Sequence, residues 1–172
     1  MKRTHLNNER FITEFSNMDY RQEISSKPRG VWYEVNNDWK DWCVHEMPRW
    51  IRERFNHEHH LEIDMTNVLV LRSKEDMYKF TKRFMGPRPY DVWRESNYID
   101  WEPVAEYYDG IEIPEYLMEC RMDENTNWYY SWDVASGCIW NTEIIKVVKS
   151  NPTAAHWHDL AEYNESLWNG GR

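Results

Sequence analysis

The sequence predicts an α+β fold, a single compact domain with a mixed or antiparallel sheet core and packed helices. Three observations lead there. Short β-branched and aromatic segments are interspersed with helical stripes, and no regular βαβ repeat orders them. Only six Gly and seven Pro punctuate 172 residues, and no linker or low-complexity tract interrupts them. At about 100–200 residues per domain, residues 1–172 make one globular domain.

Element by element, residues 10–20 alternate loosely and predict a strand followed by a polar turn. Pro28 and Gly30 mark a turn before Val31-Trp32-Tyr33-Glu34-Val35, a β-prone run that predicts a strand. Asn36, Asn37 and Asp38 then supply an N-cap. Trp39, Trp42, Cys43, Met47, Trp50 and Ile51 follow at near-helical spacing, a ring-rich stripe suited to packing on a sheet. Pro48 cannot sit inside a helix, so one helix ends near Glu46 and another begins at Pro48. Residues 60–65 alternate with period two and residues 68–71 form a short apolar run, both read as strands. Ser73 and Asp76 form a capping box for a helix over 74–84. Residues 86–97 have two prolines and no period, hence a long loop. Asp100 caps a helix over 101–108 that Gly110 stops, and Ile111-Glu112-Ile113 is a strand. Residues 128–134, 136–140 and 144–148 read as further strands. Trp157, Leu160, Ala161, Asn164 and Trp168 make a final helical stripe.

Composition excludes several functions. Thirty Asp+Glu against 21 Lys+Arg give a net charge of −9, which repels phosphate backbones and argues against non-specific nucleic-acid binding. No apolar run approaches the roughly 18 residues of a membrane span. The N-terminus has positive charges but no apolar stretch after them, so a secretory signal is not expected. Cys43, Cys120 and Cys138 are odd in number and widely spaced, which suits a reducing cytoplasm better than a disulfide framework. No Gly-rich phosphate loop, HExxH or GxSxG motif occurs. His57, His59 and His60 lack metal-ligand spacing, so a solvated loop is expected there and no metal site. The unusual quantity is 16% aromatic residues, including 11 Trp. These build a core or line a pocket.

Two segments carry candidate chemistry. One is Lys27-Pro28-Arg29-Gly30-Val31-Trp32-Tyr33-Glu34. The other is Tyr107-Tyr108-Asp109-Gly110-Ile111-Glu112-Ile113, where alternation sets Glu112 on the face opposite the two Ile, toward a cleft or toward solvent. Asp133 and Ser136 are a further polar pair beside rings, suited to a ligand or to closing their own turn.

The Gly30-Val31-Trp32-Tyr33 strand with its aromatic helix resembles the G-[aliphatic]-Y-F segment of the ADP-ribosyltransferase fold of poly-ADP-ribose polymerases and diphtheria-like toxins. The Tyr-Asp-Gly turn near Glu112 and the run Ser136-Gly137-Cys138-Ile139-Trp140 look like later parts of that fold. The K-P-x-G-[aliphatic]-W-Y, Y-D-G-I-E-I and W-D-x-A-S-G-C-I-W blocks also resemble a group of small phage and bacterial proteins that carries no assigned activity. The transferase resemblance implies NAD as cofactor and Glu112 as the catalytic carboxylate, facing the oxocarbenium ion that forms when the nicotinamide–ribose bond breaks. Tyr33 and Trp32 would stack on nicotinamide, Arg29 or Lys27 would neutralise a pyrophosphate oxygen, and Asp133 and Ser136 would hydrogen-bond the cofactor. If residues 137–140 instead match the late acid-bearing strand, Cys138 stands where the acid belongs. The competing expectation is a non-enzymatic acidic protein, of phage or bacterial origin, that binds and blocks a basic host protein in the cytoplasm.

Overall fold

The structure is a computed structural model and describes residues 1–16, 20–87 and 97–170. Its centre is a seven-stranded sheet in the order β5-β7-β8-β3-β1-β4-β9. The strands are β1 (Arg3–Asn7), β3 (Val31–Val35), β4 (His57–Ile63), β5 (Val68–Val70), β7 (Gly110–Ile113), β8 (Ser136–Ile139) and β9 (Ile145–Pro152). β5 and β7 are parallel and the other pairs antiparallel, so the sheet is mixed. A two-stranded ribbon joins β2 (Ile24–Ser25) to β6 (Ile99–Asp100). The helices are α1 (Asp38–Glu46), α2 (Pro48–Glu53), α3 (Lys74–Phe84), α4 (Trp101–Tyr107), α5 (Met118–Arg121) and α6 (Ala155–Gly170).

Strand alternation sorts the side chains onto two faces. Trp32 pairs with Cys138 and Cys138 with Ile111, so these three share one face; Tyr33, Gly137 and Glu112 share the other by the same register. On the Trp32 face Ile111, Ile113 and Cys138 pack under α3, α4, α5 and the 3₁₀ turn Asn127–Trp132. Beside that cluster, Cys43, Val44 and Ile51 of α1 and α2 pack on Trp157 and Ala161 of α6. On the Tyr33 face a smaller cluster joins Tyr33, Val35, Leu61 and Ile139 to Phe15 and Ile144.

Local signals account for three helix starts. Pro48 occupies the first turn of α2, where its missing N–H costs no bond. Ser73 Oγ accepts from Asp76 N and Asp100 accepts from Glu102 N, capping α3 and α4.

Four expectations are corrected. The chain from residue 10 to 16 forms no strand; the strand lies upstream at β1, whose polar RTHLN gains regularity from neighbours on both sides, and residues 17–19 lie outside the described residues. His57–His60 is not a solvated loop but part of β4, with His59 fully buried. Residues 128–134 begin as a 3₁₀ turn, because Trp128, Tyr129 and Trp132 bury at helical spacing while Tyr130 stays exposed. Asn37 makes no side-chain cap for α1. The expected 86–97 loop falls mainly on residues 88–96, outside the described ones. Among the described residues no helix is long and apolar enough to cross a membrane.

Candidate functional site

A cleft of about 220 Å³ opens on the Trp32 face, between the α1–α2 layer and the sheet. Thr4, Leu6, Trp32, Glu34 and Ser136 come to it from β1, β3 and β8, and Trp39 of α1 and Phe55 of the segment after α2 enclose it. Lys27, delivered by the turn before β3, holds its Nζ 5.4 Å from the Trp32 ring and 6.0 Å from the Trp39 ring. Burial pushes its pKa below the usual lysine value, opposed by the charge of Asp133. Lys27 makes no ion pair among the described residues. The cleft therefore combines ring walls with an ammonium lacking a direct counter-ion.

Its polar floor is made by Glu34 and Thr4. The Glu34 side chain is buried, accepts from the Lys40 backbone N–H at 3.1 Å and pairs with Lys40 Nζ at 2.5 Å. Burial pushes its carboxyl up to about 7, against the opposing pull of Lys40 and Lys2. Thr4 is fully buried, and its Oγ1 has no hydrogen-bond partner among the described residues. Buried polar atoms are usually paired, so this hydroxyl is an unmet polar group just beneath the cleft floor.

On the opposite face lies a second polar group. Glu112 is fully buried; Arg3 Nε and a terminal guanidinium nitrogen donate to its two oxygens at 2.5 and 3.1 Å, and Tyr33 OH donates at 2.9 Å. Burial and the Glu112 charge push the Tyr33 hydroxyl pKa well up. Gly137 makes the arrangement possible, since a Cβ there would fall 2.2 Å from the Tyr33 ring. Beyond Arg3, His59 bonds Ser150 Oγ at 2.8 Å and Asn7 Oδ1 at 2.9 Å, with the His5 ring 6.1 Å away. Burial lowers the pKa of both imidazoles. Among the described residues no group of three or more His, Cys, Asp or Glu is placed to hold a metal.

The sequence-derived candidates divide between these places. Trp32, Tyr33, Ser136 and Lys27 border the cleft, although the Tyr33 hydroxyl turns to Glu112 on the far face. The Ser136 hydroxyl donates to Val134 O at 3.2 Å, closing its own turn. Asp133 sits at positive φ, its carboxyl 3.4 Å from Arg121. Arg29 is exposed, pairs with Glu23 at 2.7 Å and does not border the cleft. Cys138 is fully buried beneath the Trp32 face, its thiol pKa pushed well up by burial, which leaves it inert as an acid.

Sequence reasoning missed Glu34, Thr4, Trp39 and Phe55 as site residues. Alternation in 31–35 was the available signal for Glu34, because it places that residue on the face of Trp32. No protein-family model, curated protein or solved structure matches the chain.

Proposed function

We propose that the protein binds the nicotinamide end of NAD in the Trp32–Trp39–Phe55 cleft and belongs functionally with ADP-ribosyltransferase-like proteins. The observation that carries this is a ring-walled cleft with Lys27 set between two Trp rings. A cavity of about 150 Å³ holds benzene, so about 220 Å³ admits one substituted six-membered ring. The remainder of the dinucleotide lies outside, where Lys27 meets a phosphate oxygen. Glu112, enclosed by Arg3 and Tyr33, holds the strand that supplies the cleft wall and is a positioning residue here.

Titration with NAD and with nicotinamide, followed by tryptophan emission, tests this directly. Saturable quenching is expected, weakened at least about tenfold in Trp39→Ala, the loss of one stacking ring. Chromatography of the same mixtures reads release of free nicotinamide. Absence of quenching by either compound sinks the proposal.

A second function is favoured by α6. Leu160, Tyr163, Leu167 and Trp168 are exposed along it, with exposed Asp159 and Glu162 beside them. With a net charge of −9, that stripe suits a protein partner presenting an apolar patch ringed by Lys and Arg. A basic amphipathic peptide is the probe: binding lost in 0.5 M salt and in Leu167→Asp supports this function, and salt-insensitive or absent binding removes it.

A further inference from the structure

Glu34 is linked to the surface by a continuous run of ionisable groups. Its Oε1 forms an ion pair with Lys40 Nζ at 2.5 Å, close but without hydrogen-bond alignment, and that same Nζ donates to Glu58 Oε2 at 3.0 Å. Glu58 Oε1 lies 3.2 Å from His60 Nε2 and 3.8 Å from Lys2 Nζ. Exposure rises along the run: the Glu34 and Lys40 side chains are enclosed, Glu58 is 13% exposed and His60 27%. At its inner end the run meets the cleft, where the unpartnered Thr4 hydroxyl stands beside Glu34 on the lining.

We propose that Glu34 is the acid–base group of the cleft, exchanging its proton with solvent through Lys40 and Glu58 to His60. The ligand class follows from the floor: a planar ring carrying an amide or hydroxyl that shares a proton with Glu34 and Thr4. That choice of ligand rests on the ring-binding function proposed above; the exchange itself does not. In each passage Lys40 gives a proton to Glu58 as it takes one from Glu34. Glu58 hands its proton to His60 Nε2, and the imidazolium releases one to water. No bond between heavy atoms changes and no electron moves.

The charged surroundings fit this role. Burial raises the Glu34 carboxyl to about 7, so both protonation states are populated near neutrality. Lys40 and Cys43 face it from α1 and Lys2 from just before β1, with Glu58 of β4 on the far side of Lys40. The Cys43 thiol is pushed up to about 12 by burial and the Glu34 charge, so it stays protonated. Glu58 is pushed up by partial burial but held below the ordinary carboxylate value by Lys40, Lys2 and His60. From α6 the Trp157 ring stands 5.8 Å from Lys40 Nζ.

NMR titration of the full chain labelled with ¹³C at glutamate carboxyls tests the assignment without any ligand. One carboxyl is expected to titrate with a midpoint near 7, and its signal disappears in Glu34→Gln. Should that variant fail to fold, Glu58→Gln serves instead. Removing the neighbouring negative charge frees Lys40 for Glu34, so the midpoint falls by about one pH unit. No glutamate titrating between pH 6 and 8, or a midpoint indifferent to Glu58→Gln, overturns the proposal. Added nicotinamide is expected to raise the midpoint by excluding water, and quenching of tryptophan without such a shift also overturns it. Absent quenching with the midpoint and its Glu58 response intact removes the NAD function alone and upholds Glu34 as an acid–base group.

Discussion

Glu112 and Glu34 sit on opposite faces of one sheet and meet opposite fates. Glu112 is held as an ion pair with Arg3 plus a phenol hydrogen bond. Removing its charge leaves the Arg3 guanidinium partly buried and unpaired. Glu112→Gln is therefore expected to lower the unfolding free energy by about 3–5 kcal/mol, read from urea denaturation. Gly137→Ala pushes Tyr33 off Glu112 and is expected to cost about 1–3 kcal/mol by the same measurement. Glu34 instead makes stability depend on pH. Its folded pKa of about 7 exceeds the unfolded value of about 4.3. The folded chain thus holds the extra proton between those values, and its stability falls as pH rises through that window. His5 and His59, lowered by burial, act in reverse: their contribution is present above about 6.5 and fades on acidification. In Glu34→Gln the fall toward neutral pH should vanish while the acid loss remains, visible as urea midpoints compared at pH 5 and pH 8.

Elements were legible in the sequence where a local rule controlled them. Ser73, Asp100 and Pro48 mark helix starts because capping and proline geometry act within a few residues. Ser73→Ala is accordingly expected to cost about 1 kcal/mol in denaturant melts. β1 was illegible because Thr4 alone within RTHLN is strongly β-prone; it is ordered by pairing with Val35 and Glu34 on one side and residues 57–60 on the other. The Asn127–Trp132 turn was misread because aromatic content favours strands, whereas the spacing of its buried rings is helical. The same division holds at the cleft. Trp32 and Ser136 could be named from their neighbours in sequence. Trp39, Phe55 and the unpartnered Thr4 reach it only through tertiary folding, which no short-range pattern encodes.

Across the whole molecule the rings serve as both packing and fasteners. Trp101 Nε1 donates to Ser25 O at 3.0 Å, Trp132 Nε1 to Ser26 O at 3.2 Å and Trp128 Nε1 to Thr81 Oγ1 at 2.7 Å. Each indole buries its body while its N–H ties a distant segment, the requirement that burial of Trp imposes. Two of these bonds anchor the residues just before Lys27, which fixes the ammonium over its rings. Cys120 and Cys138 lie inside the same packing and Cys43 in the neighbouring α1–α2–α6 cluster, all three with free, enclosed thiols. A thiol reagent is expected to label none of them in the native protein and all three in denaturant. Labelling of Cys138 without denaturant would mean that the Trp32 face opens.

The sheet does not close on itself, and β9 is its outer strand beside β4. An open edge of backbone donors and acceptors invites other chains to add on. Here that edge carries Lys146 and Lys149, ends at Pro152 and bears a register break opposite His60 and Leu61, where exposed Val148 is the extra residue. Cationic side chains, a missing donor and a kink are the features that discourage ladder growth between molecules. The ring-rich protein is thereby guarded against fibrous association along the border where its core sheet meets water.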